Sequence, residues 1–214
     1  MKKSVVFVPT LKEAEKIFEN VSFITNDHSL YLAELKNIDV IITGIGKSNA
    51  AFSSCISLVN SSYYTVYLLG ICGAYRNSGL KPGDIVSITK DYFADEGLMN
   101  SDDEYKLLSE MGFTINDGRN YSEFNCAEGL KKVTGNTVSF LSGTDKTAGL
   151  YQSKTKASVE NMEGASLGMV CERLNISARQ VRAVSNFCGD RKKQEWDIKK
   201  AFNVLRKFAE DYIL

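Results

Sequence analysis

Residues 161–186 read NMEGASLGMVCERLNISARQVRAVSN, and this stretch decides the fold. Small and apolar residues recur at helical spacing over Met162–Leu174, which predicts a helix. The run Ala178–Ser185 that follows predicts a strand. Alternation of helices and strands is typical of α/β proteins, in which helices cover a mostly parallel sheet.

The same alternation extends outward over the rest of the chain. The sequence predicts further strands over Ser4–Val8, Asp39–Thr43, Thr65–Leu69, Ile85–Thr89 and Thr137–Leu141. It predicts helices over Leu11–Asn20, Ser48–Asn60, Ser101–Met111 and Asp197–Ile213, and loops over Asp117–Lys132 and Thr144–Ser158. We therefore expect residues 1–214 to form a single α/β domain, a three-layer sandwich with a mostly parallel central mixed sheet.

Composition narrows the class of partner. Of the 214 residues, 26 are Lys or Arg and 26 are Asp or Glu, so the net charge is zero. A neutral chain argues against nucleic acid or an anionic membrane surface as partner and favours a small molecule. The five cysteines include no close pair, which predicts free thiols in a reducing cytoplasm. The single histidine and the lack of metal-ligand spacing predict no metal and no cofactor.

Chemistry-bearing residues follow the predicted strands. They lie in the segments Pro9–Glu13, Gly44–Lys47, Gly70–Gly73, Ser142–Asp145 and Ser185–Asn186. In open α/β sheets ligands bind beside the carboxyl ends of the strands, so this placement predicts one shared site.

Single motifs leave alternatives open. Thr43–Ser48 lacks the spacing of a phosphate-binding P-loop and is either a tight turn or a helix start that faces a ligand. Gly70–Tyr75 is either a ligand-facing turn or a packing feature. Taken by itself, Glu163 would be an acidic residue that stabilises the N-terminus of a helix, and Asn186 would be a residue of a turn. Together, a carboxylate and an amide suit a ribose and the edge of a purine.

Short blocks along the chain carry a family resemblance. The chain resembles the purine nucleoside phosphorylase and nucleosidase superfamily over nearly its whole length, in the blocks Pro9–Ala14, Thr43–Lys47, Gly70–Tyr75, Gly83-Asp84, Asn161–Ala165 and Arg182–Asn186. Within it, the chain is most similar to the futalosine hydrolases, on Phe93–Gly97 and on Gly189–Arg191 with Trp196. That resemblance implies hydrolysis of futalosine to hypoxanthine and dehypoxanthine futalosine in menaquinone biosynthesis, by a homo-oligomer (dimer or tetramer).

The residues can be assigned roles in cleaving an N-glycosidic bond. Glu163 can accept hydrogen bonds from the ribose hydroxyls, and Met162 offers an apolar surface to the ribose. By resemblance, Glu13 activates the attacking water and Arg182 helps to hold it. Further substrate contacts are predicted from Ile71, Gly73, Phe93, Ser185, Phe187 and Arg191.

Two of these contacts have open alternatives. The resembled adenosine nucleosidases place an aromatic residue against the base after Ser142-Gly143, and this chain has none there, so Tyr92, Phe93 or Phe187 stacks instead. Arg191 either pairs with the benzoate of futalosine or has a surface or helix-capping role.

Asn186 bears on the choice of base. The adenine-specific nucleosidases carry aspartate at the matching position. An asparagine can donate to a 6-oxo group and accept from a protonated N7, which favours hypoxanthine or guanine over adenine. Mismatched pairing at a buried polar group costs ~1–3 kcal/mol, enough for about tenfold discrimination or more.

Leu68 and Ile71 bear on the choice of nucleophile. They stand where the related bacterial phosphorylases hold phosphate, and neither side chain can bind it, which favours water. The alternatives to futalosine hydrolysis are a methylthioadenosine/S-adenosylhomocysteine or aminofutalosine nucleosidase, a purine nucleoside phosphorylase, and a nucleoside-binding regulator without catalysis.

Overall fold

A mixed sheet forms the centre of the protein, and the computed structural model describes residues 3–59, 61–101 and 105–214. The strands in these residues are β1 (Ser4–Val8), β2 (Ile24–Thr25), β3 (Tyr31–Glu34), β4 (Ile38–Ile42), β5 (Thr65–Ala74), β6 (Ile85–Phe93), β7 (Gly97–Met99), β8 (Tyr105–Leu107), β9 (Tyr121–Glu123), β10 (Lys131–Thr137), β11 (Val159–Asn161) and β12 (Ala178–Phe187). The large sheet has the order β11-β10-β6-β12-β5-β1-β4-β3-β2.

Helices cover both faces of this sheet. They are α1 (Leu11–Ile17), α2 (Lys47–Leu58), α3 (Asp145–Thr155), α4 (Gly164–Arg173) and α5 (Ile198–Tyr212). One core cluster joins the sheet to α1 and α5 through residues such as Ala14, Ile17 and Leu205. Another joins it to α2 and α4 through residues such as Leu58 and Leu167. The predicted α/β sandwich with a central mixed sheet is therefore confirmed.

The short strand β11 pairs with two strands of the large sheet. This strand of three residues runs parallel to β10 and also pairs antiparallel with β5. Because β10, β6, β12 and β5 are neighbours in the sheet, the second pairing closes five strands into a ring. The ring brings the end of β11 beside the ends of β5 and β12.

Several predicted elements are confirmed with small changes of boundary. The strands at Ser4–Val8 and Ala178–Ser185 and the helix at Asp197–Ile213 lie where the sequence predicts them, with β12 extending to Phe187 and Asp197 capping α5. The predicted strand Ile85–Thr89 continues to Phe93. The helix predicted over Ser48–Asn60 ends at Leu58, and Asn60 lies outside the described residues.

Other predictions are wrong. Thr144–Ser158 was predicted as a loop and forms α3, because the Thr144 hydroxyl caps the helix by accepting from the Thr147 N–H. Thr137–Leu141 was predicted as a strand, but the strand is β10, which ends at Thr137. The predicted loop Asp117–Lys132 accordingly contains β9 and the start of β10.

Two further corrections have clear physical reasons. The helix predicted over Ser101–Met111 is absent from the described residues of that segment: β8 alternates buried Tyr105 and Leu107 around exposed Lys106, and a 3-10 turn follows. Residues 102–104 lie outside the described part. Gly70–Gly73 is not a turn but the continuation of β5, where a Cβ at Gly70 would lie 2.5 Å from Arg182 Nη1.

Candidate active site

A cavity of about 330 Å³ lies at the ends of β1, β5, β11 and β12. It brings together nine of the predicted site residues: Glu13, Ile71, Gly73, Met162, Glu163, Arg182, Ser185, Asn186 and Arg191. Phe93 and Phe187 are not among its lining residues. Phe93 is buried near Lys47, and Phe187 packs against the Arg76 guanidinium. The grouping at strand ends thus matches the expectation from the sequence.

Glu163 and Arg182 form a buried ion pair in this cavity. Arg182 Nη2 donates to Glu163 Oε2 at 3.1 Å, and both side chains are at most 5% exposed. Glu163 Oε1 accepts from the Gly46 N–H at 3.1 Å. Gly46 has φ +93°, which glycine adopts without strain, and begins α2. The Gly44–Lys47 turn therefore holds Glu163 in place through the Gly46 N–H.

Glu13 lies close to this pair. Its Oε2 accepts from the Thr10 hydroxyl at 2.8 Å, and its Oε1 accepts from the Ile71 N–H at 3.2 Å. Burial raises the pKa of Glu13, while the bonds from Thr10 and Ile71 and the charge of Arg182 oppose that rise. A raised pKa suits a carboxylate that takes a proton from water near neutral pH. We call Glu13, Glu163 and Arg182 the charged cluster.

Arg182 is also held by residues outside the charged cluster. Its Nη1 donates to the Ile71 carbonyl at 3.3 Å, and Nη2 also donates to Asn161 Oδ1 at 3.2 Å. Its Nε has no hydrogen-bond partner among the described residues. A buried donor of this kind is normally satisfied by water or by ligand.

The fully buried Asp91 helps to position the charged cluster through Asn161. Asp91 accepts from Asn161 Nδ2 at 2.8 Å, from Gln180 Nε2 at 3.0 Å and from the Thr137 hydroxyl at 3.0 Å. Burial raises its pKa to about 6 despite these bonds. Asn161, positioned by Asp91, accepts from the Glu163 and Gly164 N–H groups and so fixes the start of α4.

Asn186 lies at the end of β12 and is 6% exposed. Its Nδ2 donates to the Phe187 carbonyl at 2.9 Å, and its Oδ1 accepts from the Ser185 hydroxyl at 2.8 Å. Because a carbonyl can only accept, the first bond fixes which end of the amide is nitrogen. One N–H and one oxygen lone pair remain for a ligand.

Glu160 is a cavity residue that the sequence analysis missed. It lies on β11 and is 2% exposed, and it accepts from the Ser142 N–H at 2.7 Å, from the Ser142 hydroxyl at 2.6 Å and from the Tyr75 hydroxyl at 3.0 Å. A strand of three residues has too little length to show a period, so only the Glu-Asn-Met-Glu run could have drawn attention to it. We call Asn186, Gly73 and Glu160 the base row.

A more apolar part of the cavity wall comes from the segment before α5 and from α5 itself. Trp196, Ile198 and Phe202 line it, together with Arg191. The Arg191 guanidinium carbon lies 5.1 Å from the centre of the Trp196 ring, within the range of a cation–π contact. Gln194 Nε2 donates to the Gly189 carbonyl at 2.9 Å and holds this segment in a turn.

Metal and membrane features are absent from the described residues. No group of three or more His, Cys, Asp or Glu side chains in residues 3–59, 61–101 and 105–214 is placed to hold a metal ion. No helix in the same ranges is long and apolar enough to span a bilayer.

Comparison with known proteins shows the family to which this chain belongs. The family model described as the phosphorylase superfamily matches residues 4–213. The chain is 30% identical over 178 residues to the futalosine hydrolase of Thermus thermophilus, covering 77% of this chain and 76% of that protein. It is 31% identical over 177 residues to the futalosine hydrolase of Acidothermus cellulolyticus, covering 78% of this chain and 71% of that protein.

A solved structure shows the same fold. The 5′-methylthioadenosine/S-adenosylhomocysteine nucleosidase of Helicobacter pylori is similar with a TM-score of 0.79 at 19% identity, covering 98% of this chain and 97% of that one. The chain belongs to the phosphorylase superfamily and, within it, to the nucleosidase enzymes that include the futalosine hydrolases.

Proposed function

We propose that this protein hydrolyses the N-glycosidic bond of futalosine to release hypoxanthine and dehypoxanthine futalosine, as a step in menaquinone biosynthesis. The observation that carries the proposal is the amide of Asn186, with one free N–H and one free lone pair in the cavity. The similarity to two futalosine hydrolases supports the same substrate.

The Asn186 amide suits a 6-oxopurine. Its free N–H can donate to the 6-oxo group, and its oxygen can accept from N7 once N7 is protonated. An adenine would instead direct its 6-amino group at an N–H donor. The mismatch leaves a buried polar group unpaired, which costs ~1–3 kcal/mol and favours hypoxanthine by about tenfold or more.

The charged cluster suits cleavage by water. Departure of the base leaves positive charge on the ribose, which the buried Glu163 carboxylate opposes electrostatically while it accepts from the ribose hydroxyls. Each Glu163 oxygen has one protein donor and keeps a lone pair for a hydroxyl. Glu13 takes the proton of the attacking water, and the unpaired Arg182 Nε is available to hold that water.

A phosphate nucleophile fits this cavity poorly. Leu68 is fully buried among Val5, Phe7 and Val66 and does not line the cavity. Ile71 faces the cavity, but its N–H is already used by Glu13. The carboxylates of Glu13 and Glu163 would repel a phosphate dianion. These contacts favour water over phosphate.

Arg191 and Trp196 suit the far end of the substrate. A benzoate offers an aromatic ring for the apolar wall and a carboxylate for a guanidinium. Arg191 is exposed on one side and lines the cavity on the other, so it can pair with a carboxylate at the cavity mouth.

We further propose that the protein is a cytoplasmic homo-oligomer, in keeping with the resemblance.

One panel of substrates tests the proposal. Purified protein is offered futalosine, aminofutalosine, methylthioadenosine and inosine, each with and without phosphate, and released base is measured by chromatography. We expect hypoxanthine from futalosine at the highest kcat/KM, with no dependence on phosphate. Higher efficiency for an adenine nucleoside would contradict the base assignment, and strict phosphate dependence would contradict hydrolysis.

A further inference from the structure

Anchoring of the loop that contains Ser142 does not by itself explain why residue 160 is a glutamate. Its contacts with Ser142 tie the 138–143 segment to β11, and a neutral glutamine could make similar contacts with a hydroxyl and an N–H. Burying a carboxylate instead carries a desolvation cost. Burial does raise the pKa of Glu160, but the donors from Ser142 and Tyr75 oppose that rise and favour the anion.

The strand register places Glu160 on the same face of the sheet as Asn186. Gly73 on β5 pairs with Asn186 of β12 on one side and with Glu160 of β11 on the other. Directly paired residues point to the same face, and neighbouring strands are ~4.8 Å apart, so these two side chains rise from backbones roughly 10 Å apart. All three residues line the cavity.

Gly73 places no side chain of its own between Glu160 and Asn186, and the Cys188 sulfur packs closely against it. A Cβ there would lie 2.7 Å from the Cys188 sulfur and 3.6 Å from Asn186 Nδ2. The cavity beside Gly73 suits a flat ring that faces an amide on one edge and a carboxylate on the adjacent edge. In a purine, N7 and N1 lie on the two sides of the 6-substituent, and N1 bears a hydrogen in 6-oxopurines and a bare lone pair in adenine.

We propose that Glu160 is a second purine-reading residue, whose carboxylate accepts the N1–H of a 6-oxopurine bound in the cavity beside Gly73. The inference rests on the proposed function and deepens it, since it names a second group that selects the base. Oε2 accepts from both hydroxyls, while Oε1 accepts from the Ser142 N–H and retains a lone pair for N1–H. Adenine would place its N1 lone pair against this carboxylate.

The direct test is Glu160→Gln, with kcat/KM measured for futalosine and aminofutalosine. Glutamine keeps the shape, and its amide can donate to Ser142 Oγ or to Tyr75 OH, so the fold is retained. Its oxygen, which takes the place of Oε1, carries no full charge, so it accepts N1–H of a 6-oxopurine more weakly and repels the N1 lone pair of adenine less than the carboxylate does. We expect the preference for futalosine over aminofutalosine to fall about tenfold or more.

Ser142→Ala is the matched control. It removes the hydroxyl donor to Glu160 and disturbs the same loop, but it leaves the carboxylate, so both substrates should change by a similar factor. If Glu160→Gln also changes both substrates equally, or changes neither, the proposal is overturned.

A second measurement needs no variant. In 1-deazaadenine a C–H group replaces N1, which removes the lone pair that faces Glu160 without adding bulk. The wild-type protein should bind 1-deazaadenine about tenfold more tightly than adenine in calorimetry. Equal or weaker binding would overturn the role of Glu160.

The two proposals can fail separately. If the wild type prefers aminofutalosine, the proposed function fails. A lower futalosine preference in Glu160→Gln would still support Glu160 as a purine reader in that case.

Discussion

The charged cluster and the base row lie in one cavity but are built differently. In the charged cluster, Arg182 forms an ion pair with Glu163, and Glu13 is held nearby by Thr10 and the Ile71 N–H. In the base row, the neutral amide of Asn186 retains one donor and one acceptor, and Gly73 adds no side chain beside it. One region contains an ion pair, and the other contains an amide that can both donate and accept.

In the proposed function, the charged cluster carries out the reaction and the base row recognises the substrate. Charges that stabilise a transition state act best when they are fixed before the substrate arrives. A group that selects a base acts through bonds that only the right base can complete. Changes in the charged cluster should therefore alter turnover or stability, whereas changes in the base row should alter the choice of substrate.

The largest effect is expected from Glu13→Gln. The amide cannot take a proton from water, so kcat should fall ~10²–10⁴-fold while substrate still binds in calorimetry. Glu15→Gln, an exposed change on the same helix, is the control and should leave kcat unaltered. Near-normal turnover of Glu13→Gln would remove Glu13 from the chemistry.

The pH dependence of kcat/KM tests the same role of Glu13. In the proposed reaction the Glu13 carboxylate takes a proton from water, so kcat/KM should rise with pH as Glu13 loses its proton. Because burial raises the pKa of Glu13, that rise should lie above the ordinary value of 4.5. An acid limb at or below 4.5 would show that another group controls the reaction.

Arg182→Met should have the next largest effect, on stability. Methionine fills much of the volume but leaves the Glu163 carboxylate buried without its partner, which costs ~3–5 kcal/mol of the free energy of unfolding. Urea unfolding measures this loss. The double variant with Glu163→Gln should lose less than the sum of the single variants.

Arg179→Met provides the control for that experiment. Arg179 lies on the same strand, and its guanidinium carbon lies 5.8 Å from the centre of the Tyr67 ring. Its loss should cost about 1 kcal/mol or less. Additive effects in the double variant would show that Glu163 and Arg182 do not act as a pair.

Asn186→Asp tests the base row and should change selectivity more than stability. A protonated aspartate can donate to N7, and its other oxygen can accept from a 6-amino group. The ratio of kcat/KM for futalosine over aminofutalosine should fall about tenfold or more. Asn37→Asp makes the same substitution at an exposed site and should leave that ratio unchanged. An unchanged ratio in Asn186→Asp would mean that the base is read elsewhere.

The smallest effect is expected from Arg191→Gln. Loss of an exposed pairing with a substrate carboxylate is worth about 1 kcal/mol or less, so KM for futalosine should rise a few-fold with kcat little changed. KM for inosine, which has no benzoate, should not move. Lys192→Gln on the same turn is the control, and an equal rise for both variants would argue against a specific pairing.

Much of the fold could be predicted because long elements carry their own pattern. The buried run of β1 and the amphipathic helix α5 bury residues at the periods of a strand and a helix. Short elements carry no such pattern, which is why β9 and β11 were missed. The helix α3 was missed because its apolar face is weak and its start depends on the Thr144 cap.

The sequence by itself determined which chemical groups are available. Glu13, Glu163, Arg182 and Asn186 could be singled out because polar residues after buried strands converge at one edge of a sheet. The sequence could not show that Gly46 holds Glu163, or that Gly70 leaves room for Arg182.

Only the tertiary structure decided how the base row is completed. Glu160 reaches the cavity because β11 pairs with β5 and closes the ring of strands, a contact between residues about ninety positions apart. Sequence patterns record local periodicity and do not record which distant strands meet. The physical reason is that this pairing depends on packing and backbone hydrogen bonds across the whole sheet, so a buried carboxylate at position 160 acquires its role only in the folded protein.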